Sequence, residues 1–228
     1  MIRFVFLDLD DTLLDFRAAE ARAIRRALEG EGIAPTSAVV ELYHNINRCQ
    51  WELLEQGKIT RPQVLTRRFE LLFAELGIER PLASIKAAYE TLLGQGHIFI
   101  DGAEELLQNL YPQYQLYLAS NGNLRIQKGR LDSAGIRKYF EDIFISQDIG
   151  INKPAKGFFD YCFARIPGFD PKKAMIVGDS PSSDMLGGQN AGIATCWINP
   201  TGRKYSLEQL PDYEIQSLAQ LESLLETL

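Results

Sequence analysis

The stretch Phe4–Leu14, FVFLDLDDTLL, constrains this chain more than any other. Four apolar, strand-forming residues, Phe4 to Leu7, run straight into the carboxylates Asp8, Asp10 and Asp11, with Thr12 close behind. An apolar run this short, so near the N-terminus, predicts a buried strand at the centre of a parallel sheet. Acids at its C-terminal end then stand where open α/β sheets bind their ligands. Asp8 and Asp10 are two apart, which in extended backbone puts both side chains on one side. Two like charges held that close resist burial unless a cation lies between them. A hard divalent ion such as Mg²⁺, which takes carboxylate oxygens and leaves room for water and phosphate, resolves the conflict. Taken alone, the same residues also read as a solvated acidic turn after a strand.

The 228 residues suffice for one large domain or two small ones. A net charge of −6 and a pI of about 5.1 argue against a nucleic-acid polymer as partner. Small phosphorylated substrates stay open, because a metal and a few local cations reverse the field at one site. Arg3 and Asp8 interrupt the N-terminal apolar run, so no signal peptide is expected. No apolar stretch is long enough for a bilayer. Cys49, Cys162 and Cys196 have neither CxxC spacing nor a nearby His, and the expectation is reduced core thiols in a cytoplasmic protein.

From Asp15 to Gly96 the pattern is helical, with helices expected over Arg17–Gly32, Ser37–Gln56, Arg61–Leu76 and Leu82–Leu93. Beyond Gly96 strands and helices alternate. Strands are expected at Gln115–Ser120, Asp142–Ser146, Ala174–Val177 and Ala194–Ile198. The helices between and around them are Ala103–Leu110, Leu124–Ala134, Lys156–Arg165, Ser182–Ala191 and Leu218–Leu225. Such alternation implies right-handed crossovers and a parallel sheet. The first strand therefore belongs with the second half. The expected architecture is α/β: a Rossmann-like doubly wound sheet from residues 1–15 and 97–228, carrying an inserted all-helical domain, residues 16–96.

Three more strand ends carry polar clusters. Ser120-Asn121-Gly122 offers a hydroxyl and backbone N–H groups to an oxyanion, and is equally a plain turn. Lys153, in Asn152-Lys153-Pro154, sits in extended chain before a proline; it suits a phosphate, or is a solvated loop lysine. Asp179 follows an apolar strand directly, and Asp184 opens the next helix, where it also fits as a cap.

Together and in this order, Asp8-Leu9-Asp10-Asp11-Thr12, Ser120-Asn121, Asn152-Lys153-Pro154 and Gly178-Asp179 with Asp184 resemble the haloacid dehalogenase-like (HAD) phosphohydrolase superfamily. The resemblance spans the whole chain, helical cap included. It implies that Asp8 attacks phosphorus to form an aspartyl-phosphate, and that Asp10 protonates the leaving group and then activates water. It implies Mg²⁺ held by Asp8, the Asp10 backbone carbonyl, Asp179 and Asp184, the last directly or through water. Thr12, Ser120, Asn121 and Lys153 would bind the phosphoryl group. The dehalogenase branch lacks a counterpart of Asp10, which favours phosphate chemistry.

In this family the cap closes over the leaving group and sets specificity. The segments Asn45-Ile46-Asn47, Trp51-Glu52, Gly57-Lys58-Ile59-Thr60 and Arg68-Phe69-Glu70, and the stretch Ala194–Asn199, resemble the pyrimidine 5′-nucleotidase branch. That implies a nucleoside monophosphate substrate, pyrimidine or non-canonical. On helix Ser37–Gln56, Leu42, Ile46, Cys49 and Leu53 form one apolar stripe. Trp51 falls about 180° away at about 100° per residue. There it would stack on a base or pack on a second helix. Phe16 and Asn47 are the other cap residues placed near substrate; His44 and His97 are expected to be packing or surface residues. A sugar phosphate or phosphoglycolate-like metabolite is the alternative substrate. A phosphomutase and a non-catalytic phospho-ligand scaffold are the remaining readings, and no residue fixes oligomeric state beyond a monomer or weak homo-oligomer.

Overall fold

In the computed structural model, which describes residues 1–228, strand β1 (Phe4–Leu7) is buried along its whole length. Around it lie β2 (Gln115–Ser120), β3 (Asp142–Ile145), β4 (Ala174–Gly178), β5 (Ala194–Ile198) and β6 (Tyr213–Ile215). The order is β3-β2-β1-β4-β5-β6, and every pairing is parallel. That is the doubly wound arrangement, with the switch in chain direction beside β1.

β1 reads as a continuous apolar run because both its faces are covered. Val5 and Leu7 point to one side, with Leu116, Leu118, Met175 and Val177, against helices α5 (Ala103–Leu110) and α10 (Ala219–Glu226). Phe4 and Phe6 point to the other, with Tyr117, Ala119 and Ile176, against α8 (Lys156–Phe163). Phe6 stacks on Tyr117 at 5.2 Å between ring centroids and meets the edge of Phe163 at 5.7 Å.

The register is what builds the site. Leu7 pairs with Leu118 of β2 and Val177 of β4, so the C-terminal ends of the three strands lie side by side. The Asp8 N–H donates to Val177 O at 3.0 Å, and Ser120 and Asp179 follow at the adjacent strand ends.

The chain divides into two units, Met1–Asp15 with His97–Leu228, and Phe16–Gly96. The second holds helices α1 (Phe16–Gly30), α2 (Ser37–Glu55), α3 (Arg61–Glu75) and α4 (Ala83–Gly94); α1 packs on α4 and α2, and α2 on α3. No helix is long and apolar enough to cross a membrane.

Several local expectations are corrected. β6 was not foreseen. β3 stops at Ile145 because Ser146 opens a one-turn helix, α7 (Ser146–Ile149), closed by Gly150 in the left-handed region. The expected helix Ser182–Ala191 begins as a wide π-type turn, Pro181–Met185, before α9 (Leu186–Ala191). Cys162 and Cys196 are buried as expected, but Cys49 is exposed.

α9 lies close to the sheet because it carries glycine where it crosses. A Cβ at Gly188 would stand 2.6 Å from Ile176 Cγ2 and from Thr195 Cγ2, both on strands. Gly188→Ala should therefore destabilise the α/β unit by about 1–3 kcal/mol despite its better helix propensity. Urea unfolding checks this; an unchanged or raised midpoint would show that the helix shifts without cost.

Candidate active site

After β1 the backbone turns sharply. Asp11 adopts φ +55°, a left-handed conformation that Asp tolerates better than most residues. The Leu13 and Leu14 N–H groups return to Leu9 O at 3.0 and 2.9 Å. Leu9 enters the core while Asp8 and Asp10 stay at the strand end.

Lys153 is the hub. Its ammonium is buried and donates to Asp8 Oδ1 at 2.8 Å, Asp184 Oδ1 at 2.6 Å and Ala119 O at 2.5 Å. All three hydrogens are thereby used. Its backbone, which continues into a cis Lys153–Pro154 bond, is gripped by one amide. Asn121 Oδ1 accepts from Lys153 N at 2.8 Å, while Asn121 Nδ2 donates to Lys153 O at 2.9 Å and Ser183 Oγ at 3.1 Å. The Asn121 side chain is a clamp on the lysine loop, a role that the sequence reading did not assign.

Asp8, Asp179 and Asp184 each present a carboxylate oxygen, all within 4.8 Å of one another. Ser180 N also donates to Asp184 Oδ2 at 3.2 Å, fixing that carboxylate in the π-type turn. Arg203 approaches Asp179 Oδ2 at 3.7 Å from the exposed side, and Trp197 Nε1 donates to Asp179 O at 2.9 Å. Burial pushes the Asp8 carboxyl up to about 8; Lys153 opposes this, and Asp184 and Asp10 add to it. Asp179 is raised well above the usual carboxylate range by burial and by Asp184, Asp11 and Asp8, with Arg203 opposing. Burial pulls the Lys153 ammonium down, but Asp184 and Asp8 outweigh it and hold it above the ordinary lysine value. Three carboxylates around one buried ammonium leave negative charge uncompensated. Hard oxygen donors at this spacing fit a divalent cation.

The Asp10 carboxylate is not in that cluster. Its Oδ2 accepts from Gln127 Nε2 at 2.7 Å, and its Oδ1 accepts from Arg130 NH1. Only its backbone carbonyl remains as the expected metal donor. Ser120 Oγ accepts from Gln127 Nε2 at 2.9 Å and Gly122 N at 3.2 Å, which leaves its own proton to give. Thr12 Oγ1 is buried with no partner in the protein. The sequence reading missed Gln127, Arg130 and Arg203. The one available signal was Gln127 and Arg130 three apart, on the helix that opens just past Ser120-Asn121-Gly122.

In the helical unit the expected apolar stripe is corrected. The buried residues of α2 are Val40, Tyr43, Asn47, Gln50 and Leu54, while Leu42, Ile46 and Leu53 are only partly buried. The inward face is rotated by about 110° at about 100° per residue. The reason is a polar interior that hydropathy does not reveal. Asn47 donates to Glu20 Oε1 at 2.6 Å and accepts from Arg68 at 3.2 Å, and Tyr43 joins Phe69 and Tyr89 in an aromatic cluster. Asn47 thus lies buried in this network. Trp51 is partly buried, with the Arg61 guanidinium 5.5 Å from its ring. Phe16 is partly buried at the start of α1. His44 bonds Glu20 Oε2 at 2.6 Å, and His97 bonds Ser133 Oγ at 2.9 Å.

A haloacid dehalogenase-like hydrolase model matches residues 2–192. HAD-hydrolase YfnB of Bacillus subtilis is 42% identical over 219 residues, covering 96% of this chain and 93% of that protein. Its crystal structure, bound to magnesium, matches with a TM-score of 0.94 over 98% of each chain. Two pyrimidine 5′-nucleotidases are also similar. PynA of Streptococcus pneumoniae is 37% identical over 220 residues, 96% of this chain and 93% of that one. YjjG of Escherichia coli is 31% identical over 222 residues, 97% of each.

Two measurements follow. Asp179→Asn removes a partly buried charge that its neighbours oppose, so in EDTA the variant should melt at or above the wild-type temperature while its divalent-cation affinity falls at least about tenfold. Calorimetry reads both; a lower melting temperature without metal would show that Asp179 stabilises the empty fold. The Glu20 hydrogen bond raises the His44 pKa above 6.5, with burial opposing. The pair's contribution to stability is therefore full below pH 6.5 and fades as pH rises through the raised value. The stability gap between wild type and His44→Gln, from urea titrations across pH, should close on the alkaline side; a gap that widens there would refute the pairing.

Proposed function

This chain belongs to the haloacid dehalogenase-like hydrolases, and we propose that it hydrolyses phosphate monoesters with Mg²⁺, most readily those of nucleosides. The observation that carries the chemistry is the separation of two acids at the end of β1. Asp8 lies in the cation-fitting cluster, while Asp10 is held outside it by Gln127 and Arg130.

Asp8, Asp179 and Asp184, with the Asp10 carbonyl, would hold the metal. When bound, Mg²⁺ offsets the charge of the carboxylates and of the incoming phosphate. Lys153 ties down Asp8 Oδ1, which leaves Oδ2 to attack phosphorus. The bond from Asp8 forms as the bond to the ester oxygen breaks; that oxygen keeps the electron pair and takes a proton from Asp10. A water then attacks phosphorus, gives its proton to Asp10, and frees Asp8. Ser120, whose lone pairs are engaged, donates its proton to a phosphoryl oxygen. Lys153 acts through its field, since a bond to phosphate requires exchanging one of the three it makes.

The nucleotide reading is supported by the names of two relatives, PynA and YjjG. Phosphate release from nucleoside monophosphates and sugar phosphates, with Mg²⁺ or EDTA, tests substrate and metal together. UMP, dUMP or dTMP should be preferred, and Asp8→Asn should lower kcat by more than about 10⁴-fold. Full activity in Asp8→Asn would reject the mechanism. Preference for a sugar phosphate would reject the substrate alone. Trp51→Ala then tests whether the helical unit contributes to choice between bases.

A further inference from the structure

We propose that Gln127 and Arg130 are positioning residues that hold the Asp10 carboxylate for proton transfer. The proposal rests on the phosphatase reading above and gives these two residues a part in its proton transfer.

The helix α6 (Leu124–Ala134) is anchored where it must be. The Asn123 side chain caps it, accepting from Arg125 N at 3.0 Å and Ile126 N at 3.3 Å, so it starts directly after Ser120–Gly122. Residues three apart then share a face, and Gln127 and Arg130 both turn to the end of β1. One amide serves two groups: Gln127 Nε2 donates to Asp10 Oδ2 at 2.7 Å and to Ser120 Oγ at 2.9 Å. Its carbonyl Oε1 accepts from Arg130 NH1 at 3.1 Å, and the same guanidinium nitrogen bonds Asp10 Oδ1. Turning the amide over would set its carbonyl against the carboxylate and its NH₂ against the guanidinium, so Arg130 fixes which way Gln127 faces.

Core packing does not account for this pair. Gln127 and Arg130 are 1% and 0% exposed. Burying an amide and a guanidinium costs free energy that an apolar side chain of equal volume avoids. The neighbouring glycine points the same way: a Cβ at Gly122 would run into the Gln127 side chain. The Asp10 side chain is itself 30% exposed, and these two contacts engage both of its oxygens. A displacement of about 1 Å at such a group is enough to cost about 10²-fold in rate.

The test uses leaving groups. Protonation by Asp10 matters when the departing oxygen is an alkoxide, as in a nucleoside monophosphate, and little when it is p-nitrophenolate. In Gln127→Met, first-turnover release of nucleoside should fall by about 10²-fold, with KM within about threefold. The first-turnover burst of p-nitrophenol should stay within about threefold of wild type. Arg130→Lys, which keeps a donor, should recover most of what Arg130→Met loses. Equal losses with both esters, or a rise in KM alone, would overturn the proposal. A crystal structure of Gln127→Met gives a readout without turnover: the Asp10 carboxylate should leave its wild-type position, and an unmoved carboxylate would overturn the proposal. Failure of the phosphatase reading looks different, as absence of phosphate release from every ester by the wild-type chain; the crystallographic comparison still decides whether these residues hold Asp10.

Discussion

One buried ammonium sets the terms for the rest of the α/β unit. Lys153 spends its three hydrogens on Asp8, Asp184 and a strand carbonyl, and so ties the end of β1, the end of β2 and the π-type turn to a single point. The sheet register brings these elements level, and the Asn121 clamp keeps the lysine loop from drifting. The charges still do not balance. Asp179 has the exposed Arg203 as its nearest cation, at 3.7 Å. Local rules of burial are broken at this cluster, and a divalent cation there would relieve the deficit.

How much of this could be read from the chain depended on whether the signal was local. The doubly wound sheet was legible because strands covered on both faces appear as apolar runs, and because Asp8, Ser120 and Asp179 each follow one. β6 was not: Tyr213-Glu214-Ile215 is three residues long with an exposed carboxylate in the middle. Asp8, Lys153 and Asp184 carried enough pattern to be singled out, but the Asn121 side chain gave no sign that it would grip a backbone 32 residues away. Gln127 and Arg130 stand 117 and 120 residues from their partner Asp10, and no periodicity announces a bond of that span. On α2 the hydropathy pattern misled, because the helix turns Asn47 inward to meet Glu20 and Arg68, buries Gln50 on the same face and leaves Cys49 outside. Hydropathy scores a residue for what it avoids. A buried polar network is built from what its members find.

In the proposed mechanism the working side chains divide between two kinds of support. Asp8, Asp179 and Asp184 are positioned by strand ends and by one lysine. Asp10 is one residue past Leu9, which anchors in the core, and is aimed from α6 on the other side of a left-handed turn. Two carboxylates that are neighbours in sequence therefore answer to different parts of the fold.

The discontinuity of the α/β unit also sets an order of assembly. Phe4 pairs with Gln115 on one side and Ala174 on the other, so the central strand is made before either of its sheet neighbours and waits for the chain to reach them. The helical unit, Phe16–Gly96, is unbroken in sequence and held by contacts between nearby helices, so it closes its loops at lower entropic cost. During synthesis β1 is an apolar stretch with acids at its end, followed by a segment whose helix contacts are local in sequence. The carboxylates that make the finished strand end so demanding to bury are, in that interval, solvated charges beside a naked strand, and they discourage it from pairing with anything but the sheet it belongs to.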